Sequence, residues 1–140
     1  VDGEIRRSSQ ATYVGDGVYN TTGAGQVRTA TVRRGQSTDF LVRIRNEGNT
    51  TDSLRVKGTA GNNRFTVRYF NGSTNVTSQV VAGTFQFSNV PADATRTLKV
   101  RFTVAANATV RSSRSALVTA TSVGDTAEKD AVKATVTAAR

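Results

Sequence analysis

The chain has 140 residues and a net charge of +9, from 19 Lys and Arg against 10 Asp and Glu, and it contains neither cysteine nor histidine. Its length is typical of a single domain, and the missing residue types exclude disulfides, thiol catalysis, cysteine-ligated zinc and a histidine general base. With one proline, no Met or Trp and many Val and Thr residues, the composition favours strands over helices.

The first 25 residues, VDGEIRRSSQATYVGDGVYNTTGAG, contain five glycines and alternate only weakly. A flexible linker is one interpretation of such a segment. However, it carries more large apolar side chains than a free tail would, so we expect it to pack on the rest of the domain or on a neighbouring subunit. The candidate intersubunit residues are Ile5, Tyr13, Val14, Val18 and Tyr19.

Residues 26–140 break into short runs in which apolar and polar residues alternate, the pattern of half-buried strands. The predicted strands are 26–33, 38–46, 52–58, 64–70, 76–88, 95–104, 114–123 and 129–138. No amphipathic helix is predicted. This pattern predicts an all-β domain, an Ig-like (fibronectin III-like) antiparallel β-sandwich of about seven to nine strands preceded by the extended segment 1–25.

Three features fix the expected register and turns of this sandwich. Phe40, Val42 and Ile44 are predicted to face the core, and the alternating apolar residues of 98–104 form the clearest core stripe. The turn-forming cluster 46–49 makes the strands on either side of it a hairpin or a corner between sheets. Asn71-Gly72 is the strongest tight-turn signal in the chain.

The basic residues of the predicted strands take the outward phase. A solvated, aggregation-resistant sheet surface is the simplest interpretation, and contact with an anionic polymer, a lipid or the acidic end of a neighbouring copy is the alternative. The net charge raises nucleic acid as a partner, but this distribution predicts no specific nucleic-acid site. The basic-face candidates are Arg43, Arg45, Arg55, Lys57, Lys99 and Arg101.

Five Asn-x-Ser/Thr sequons lie in or beside predicted turns, where a glycan has room. A chain rich in Asn and Thr produces such motifs by chance, so the motif alone is weak evidence. The candidate glycosylation sites are Asn20, Asn49, Asn71, Asn75 and Asn107.

The sequence predicts no metal and no cofactor. The segment 15–20, GDGVYN, offers oxygen ligands for calcium around Asp16, with Asp52 or Asp125 as further candidates. The EF-hand spacing is absent and too few ligands can be named, so an Asx turn at Asp16 is the preferred interpretation. Tyr13, Tyr19 and Tyr69 suggest a sugar-stacking platform, although tyrosine is more often a half-buried core or interface residue.

Catalysis is not expected either. The serines have no histidine partner and no G-x-S-x-G motif occurs. The acids Asp125, Glu128 and Asp130 lie at a turn and a strand start, where we expect them to be solvated. A lysine–asparagine crosslink needs a buried lysine, and the strand lysines are predicted to point outward. We therefore predict that the chain is not an enzyme.

The segments RRGQSTDFLVRIRNEGNTTDSLRVKG, VPADATRTLKVRFTVAANA and ALVTATSVGDTAEKDAVKATV resemble prokaryotic extracellular Ig-like repeats of the NEW3 and CARDB type, found in large cell-surface proteins. The residues that carry the resemblance are Gly35, Asn46, Gly48, Asn49, Asp52, Pro91 and 119–122. The chain departs from the pattern at Ala92-Asp93, where the family usually has a glycine after the proline. The resemblance implies an extracellular β-sandwich that serves as a spacer, adhesive or assembly unit, without catalytic residues.

Such repeats usually occur in tandem, whereas this sequence holds one. Together with the unusual segment 1–25, this leads us to expect a self-associating subunit of an extracellular fibre, pilus or sheath, exported with its signal peptide removed. The partner is then another copy of the chain, bound through residues 1–25 as an added strand. The alternative is a surface carbohydrate-binding or adhesive module that does not polymerise. No apolar run is long enough to cross a membrane.

Overall fold

The computed structural model describes residues 1–140 and confirms the all-β sandwich. It contains the strands β1 (Asp2–Arg7), β2 (Val27–Arg33), β3 (Ser37–Arg45), β4 (Asp52–Gly58), β5 (Phe65–Asn71), β6 (Thr74–Asn75), β7 (Phe85–Val90), β8 (Thr95–Val104), β9 (Ser113–Ser122) and β10 (Lys129–Ala139), and one helix, α1 (Thr77–Ala82). The first sheet has the order β1-β3-β8-β5-β6 and the second the order β2-β10-β9-β4-β7. Every pairing is antiparallel except that of β2 with β10.

The inward-facing residues of both sheets form one continuous core. Phe40, Val42 and Ile44 of β3 are buried as predicted, and so are the alternating apolar residues of β8. Phe40 packs edge to face against Phe102, with ring centroids 5.6 Å apart. All these side chains belong to a single buried cluster, so the two sheets are held together by one core.

The turn between β3 and β4 is a corner between the two sheets, because β3 belongs to the first sheet and β4 to the second. Buried Asn46 fixes this corner. Its Nδ2 donates to the carbonyl oxygens of Thr50 and Val90 at 2.9 Å each, and its Oδ1 accepts from the Gly48 amide at 3.0 Å. Two of the residues that carry the family resemblance, Asn46 and Gly48, are therefore joined by a structural hydrogen bond.

Asp52 ties β4 to the turn between β9 and β10. Its carboxylate accepts hydrogen bonds from the Ser53 amide at 2.8 Å, from the Gly124 amide at 2.9 Å and from the Ser122 hydroxyl. Burial acts to raise the pKa of Asp52, but these three hydrogen bonds favour the carboxylate and leave the pKa below its ordinary value.

We expect this lowered pKa to affect the pH dependence of stability. The carboxylate of Asp52 stabilises the folded state above its unfolded-state pKa of about 3.9, and this contribution is lost as the pH falls through the lower folded-state value. Asp52→Asn should therefore cost about 1 kcal/mol at pH 7 and less at pH 3, measured by urea unfolding at both pH values. Asp93→Asn, at an exposed turn, is the control and should change stability by less than about 0.5 kcal/mol. A cost of Asp52→Asn that is equal at both pH values would contradict the argument.

The predicted strand 76–88 is wrong, because residues 77–82 form a helix and β7 begins only at Phe85. Val76, the N-cap residue, and Val80, one turn later in the helix, are both buried. Gly83 ends the helix with a left-handed backbone (φ 78°). The valines of this segment favour strand by propensity, and packing overrides that preference. The helix has six residues, and no helix is long and apolar enough to cross a membrane.

The predicted tight turn is present between β5 and β6. Asn71 pairs with Thr74, so that Gly72 and Ser73 form a two-residue connection, and Gly72 has the positive φ of 61° that such turns require.

Candidate functional site at the N-terminal strand

β1 forms one edge of the first sheet. It pairs antiparallel with β3 from Asp2 opposite Arg45 to Arg7 opposite Phe40. Because successive side chains of a strand point to opposite faces, Ile5 enters the core, where it is fully buried, and Asp2, Glu4 and Arg6 lie on the outer face.

The free edge of β1 is covered by the next segment of the chain. Ile5 exchanges two backbone hydrogen bonds with Val14, at 3.0 and 2.9 Å. Arg7 is bound in the same way by Gln10, whose amide donates to the Arg7 carbonyl at 2.9 Å and whose Oε1 accepts from the Arg7 amide at 2.9 Å. Residues 2–14 therefore form one unit, which we call the N-terminal hairpin.

Asp130, the second residue of β10, joins this hairpin to the second sheet. Its Oδ2 accepts from the Gly3 amide at 2.7 Å, and its Oδ1 accepts from Gln26 Nε2 at 2.7 Å and from the Asn20 amide at 3.1 Å. The side chain is buried, so the expectation that Asp130 is solvated is wrong. Its three donors come from residues more than 100 positions away in the sequence, and no local pattern indicates such an arrangement.

Removal of the Asp130 carboxylate should destabilise the fold strongly. Asp130→Ala leaves three donors without their acceptor, and we expect a loss of about 3 kcal/mol in the free energy of unfolding, measured by urea denaturation. Asp125→Asn is the matched control, because Asp125 is exposed and an asparagine there can still accept from the Ala127 amide. A loss for Asp130→Ala no larger than that of the control would contradict the role assigned to Asp130.

A cluster of three acids lies where the hairpin meets the following turn. One carboxylate oxygen from each of Asp2, Glu4 and Asp16 lies within 4.8 Å of the other two. Asp2 and Glu4 are buried and Asp16 is exposed. Arg43 forms an ion pair with Glu4 at 3.0 Å, which leaves the other two acids of the cluster without a cationic partner among the ion pairs of the chain.

Asp2 is the acid of this cluster with a perturbed pKa. Burial raises the pKa of Asp2 to about 7; a hydrogen bond from the Gly17 amide opposes the shift, and the negative charges of Glu47, Asp130 and Glu4 add to it. The Gly17 amide binds Oδ2 at 3.2 Å, while Oδ1 is buried and has no hydrogen-bond partner. The folded chain thus holds a carboxylate oxygen in its interior without compensation.

We expect Asp2→Asn to stabilise the protein in a metal-free buffer. The substitution removes a buried negative charge from a group of acids and places an amide donor among acceptors, so the free energy of unfolding at pH 8 should rise by about 1 kcal/mol. Chemical denaturation in the presence of EDTA measures this change. Asp39→Asn, which removes the same charge from the opposite end of β3 and breaks an ion pair with Arg101, should not stabilise. A decrease in stability for Asp2→Asn would show that its carboxylate is compensated.

The other candidate intersubunit residues are distributed over the hairpin and the following turn. The Tyr13 ring is covered by the guanidinium of Arg43, 4.0 Å from its centroid, with Arg6 at 5.2 Å. Val14 is half-buried against Ile5, and Val18 is also half-buried. Tyr19 is 54% exposed, and its hydroxyl donates to Glu47, which together with burial raises the pKa of Tyr19.

The structure separates the candidate basic residues into two groups. Those of β3 and β8 lie on the outer face of the first sheet, and those of β4 lie on the outer face of the second: Arg43, Arg45, Lys99 and Arg101 in the first group, Arg55 and Lys57 in the second. In the first group, Lys99 and Arg101 lie over the Phe70 ring at 5.1 and 5.4 Å. The positive charge therefore does not form a single face.

The tyrosines are not gathered on one surface. Tyr69 is in the core, where its hydroxyl donates to the Thr59 carbonyl at 2.8 Å and burial raises its pKa. Among the sequon asparagines, Asn20 is half-buried and its Nδ2 donates to the Ala24 carbonyl at 2.8 Å. The remaining four are exposed, namely Asn49, Asn71, Asn75 and Asn107.

No protein-family model matches this sequence, and no curated protein matches it. Solved structures with a similar fold include the secreted serine protease VesC from Vibrio cholerae, with a TM-score of 0.49 and 13% identity over 79% of this chain and 21% of that chain. The human CEP192 PapD-like domain 7 has a TM-score of 0.43 and 12% identity over 98% of this chain and 83% of that one. The class 5 fimbriae chaperone CfaA has a TM-score of 0.42 and 15% identity over 80% of this chain and 54% of that one.

The chain spans only about a fifth of the VesC chain, and 30% of that of the Vibrio cholerae protease VesB. These similarities concern the fold alone. The absence of enzymatic activity stays a prediction from the sequence.

Proposed function

We propose that the chain is a structural domain of an extracellular surface assembly, and that copies associate by exchanging the N-terminal hairpin. The observation that carries this proposal is the position of β1. It fills a sheet edge and a core site, yet it is separated from β2 by residues 8–26, which contain no strand of their own.

The bonds that hold β1 do not depend on which copy supplies it. Its contacts with β3 are main-chain hydrogen bonds and the Glu4–Arg43 ion pair, and Ile5 inserts into the core. A second copy offers the same strand and the same side chains. Exchange of identical elements between copies is a low-cost route to association, and strand addition at a sheet edge is a common mode of recognition.

A hinge for this exchange lies directly after the hairpin. Gly15 and Gly17 have φ angles of 112° and 72°, and a side chain at Gly17 would meet no neighbouring atom. Glycine adopts such angles without strain and can leave them as readily. Opening at residues 15–17 would therefore release the hairpin from its own domain.

Beyond the hinge, the chain is held by its own second sheet. The Asn20 carbonyl accepts from the Ala131 amide at 2.8 Å, and the Gln26 carbonyl accepts from the Lys133 amide at 3.0 Å. Both bonds join the segment to β10, so the remainder of the chain can stay in place while the hairpin moves.

The polar residues that carry the family resemblance also favour a structural role. Asn46 and Asp52 use their side chains to join turns within the domain, and Ser122 donates to Asp52. The hydrogen bonds of all three are made within the domain. If each hairpin is passed on to the next copy and the contacts do not close into a ring, every subunit donates one strand and accepts another, and the result is a linear polymer.

Engineered disulfides test the exchange, since the chain has no cysteine of its own. Arg6 and Leu41 are opposite each other in β1 and β3 and half-buried on the outer face, and a hydrogen-bonded antiparallel pair of this kind has Cα atoms about 5.5 Å apart, within disulfide range. Arg6→Cys and Leu41→Cys are prepared as separate proteins, mixed at high concentration in EDTA and oxidised. We expect heterodimers linked between positions 6 and 41, identified by non-reducing gels and mass spectrometry, and a ladder of polymers from the double variant.

The control uses Ser37→Cys and Thr103→Cys, at a pair opposite each other in β3 and β8, inside the sheet. These two should not crosslink when mixed, and their double variant should close within one chain. If the 6–41 mixture also gives no heterodimer and the 6/41 double variant closes only within one chain, the hairpin stays with its own domain and the proposed function is wrong.

A further inference from the structure

We propose that Asp2, Glu4 and Asp16 form a calcium site that fastens the N-terminal hairpin to the turn after it. This proposal does not rest on hairpin exchange, because the site can bind an ion whether or not copies associate.

The distances suit a divalent cation. One oxygen from each acid lies within 4.8 Å of the other two, so a point exists within about 2.8 Å of all three, which small side-chain movements bring to the 2.3–2.6 Å of calcium–oxygen bonds. Asp2 and Glu4 are two residues apart on the same face of β1, and β3 holds both in place. The third acid, Asp16, approaches from the turn between Gly15 and Gly17.

Two buried oxygens without partners lie at the same junction. Asp2 belongs to the cluster and is 0% exposed, and its Oδ1 accepts no hydrogen bond. Gln26 is also 0% exposed, and its Oε1 has no partner while its Nε2 is held by Asp130. That Oε1 lies beside the residue before Asp16, 2.6 Å from where a Cβ on Gly15 would stand, and the Gly3 carbonyl oxygen lies 2.9 Å from the same point.

Buried oxygens without donors are costly unless something positive compensates them. The Arg43 guanidinium reaches Glu4, but no donor reaches Asp2 Oδ1 or Gln26 Oε1. A cation at the cluster would compensate the carboxylates, including the unpartnered Asp2 Oδ1.

The chemistry of these donors selects calcium. All are carboxylate oxygens, and the chain has no histidine or cysteine to favour a transition metal. Calcium accepts six to eight oxygens in irregular geometry, including bidentate carboxylates and water, whereas magnesium requires a near-ideal octahedron at 2.0–2.1 Å. Because Asp16 is exposed, the site is open to solvent on that side, which leaves room for water ligands. Affinity should be that of extracellular calcium modules, with a Kd on the order of 0.1–1 mM.

Thermal unfolding with and without calcium is the first test. At 5 mM CaCl2 the Tm of the full chain should rise by about 5 °C or more above its value in EDTA, and 5 mM MgCl2 should raise it by less than half as much. Terbium luminescence, excited through Tyr13 and Tyr19 on the same segment, should report the ion directly and should be displaced by calcium.

Asp16→Asn is the decisive variant, because Asp16 is exposed and its replacement leaves the core intact. We expect the calcium affinity to fall at least tenfold, with the Tm in EDTA nearly unchanged. Asp39→Asn removes the same charge at the other end of β3 and should retain the full response to calcium.

Either of two results would overturn the proposal: no rise in Tm with 5 mM calcium, or the same rise in Asp16→Asn as in the wild type. An equal response to magnesium would overturn the assignment to calcium. These outcomes are distinct from the crosslinking result, which is obtained in EDTA.

Discussion

The arrangement of the first 26 residues depends on one buried carboxylate. Asp130 of β10 binds the amide of Gly3 in β1, the amide of Asn20 and the side chain of Gln26. A single side chain of the second sheet thereby fixes the strand at the edge of the first sheet and the chain that leads from it to β2. Since three hydrogen bonds converge on one buried carboxylate, the N-terminal segment is part of the folded domain and not an appended tail.

The hydrogen bonds of Asp130 also explain why three other acids lie close together nearby. With Gly3 held against Asp130, the neighbouring side chains of Asp2 and Glu4 both point to the outer face of β1, and the backbone of Gly15 brings Asp16 against them. Burial first, and then repulsion from neighbouring acids, raises the pKa of Asp2. Only Glu4 is neutralised by an arginine. A fold that loses stability to such a cluster is most simply understood if the cluster binds something positive.

Sequence reasoning succeeded for the features that alternation and turn chemistry determine. The inward phase of β3 and β8, the hairpin at Gly72 and the sandwich class all rest on period-2 patterns and glycine conformations that act locally. It failed where partners are distant. The valines at 76 and 80 favour strand by propensity, but their burial four residues apart places them on one side of a helix. The position of Asp130 at a strand start predicts a solvated side chain, and no local pattern indicates the donors over 100 residues away that bury it.

Hairpin exchange and ion binding involve the same few residues, and ion binding opposes the opening that exchange requires. Exchange requires opening at residues 15–17, where two glycines permit large changes of backbone angle. A cation held by Asp2 and Glu4 on the hairpin and by Asp16 in the hinge resists that opening, and its absence leaves three acids that repel one another. In a polymer the same three acids can meet again, once a hairpin from one copy lies beside the hinge of another. Calcium would then slow the exchange of strands while stabilising whichever arrangement, closed or exchanged, has already formed.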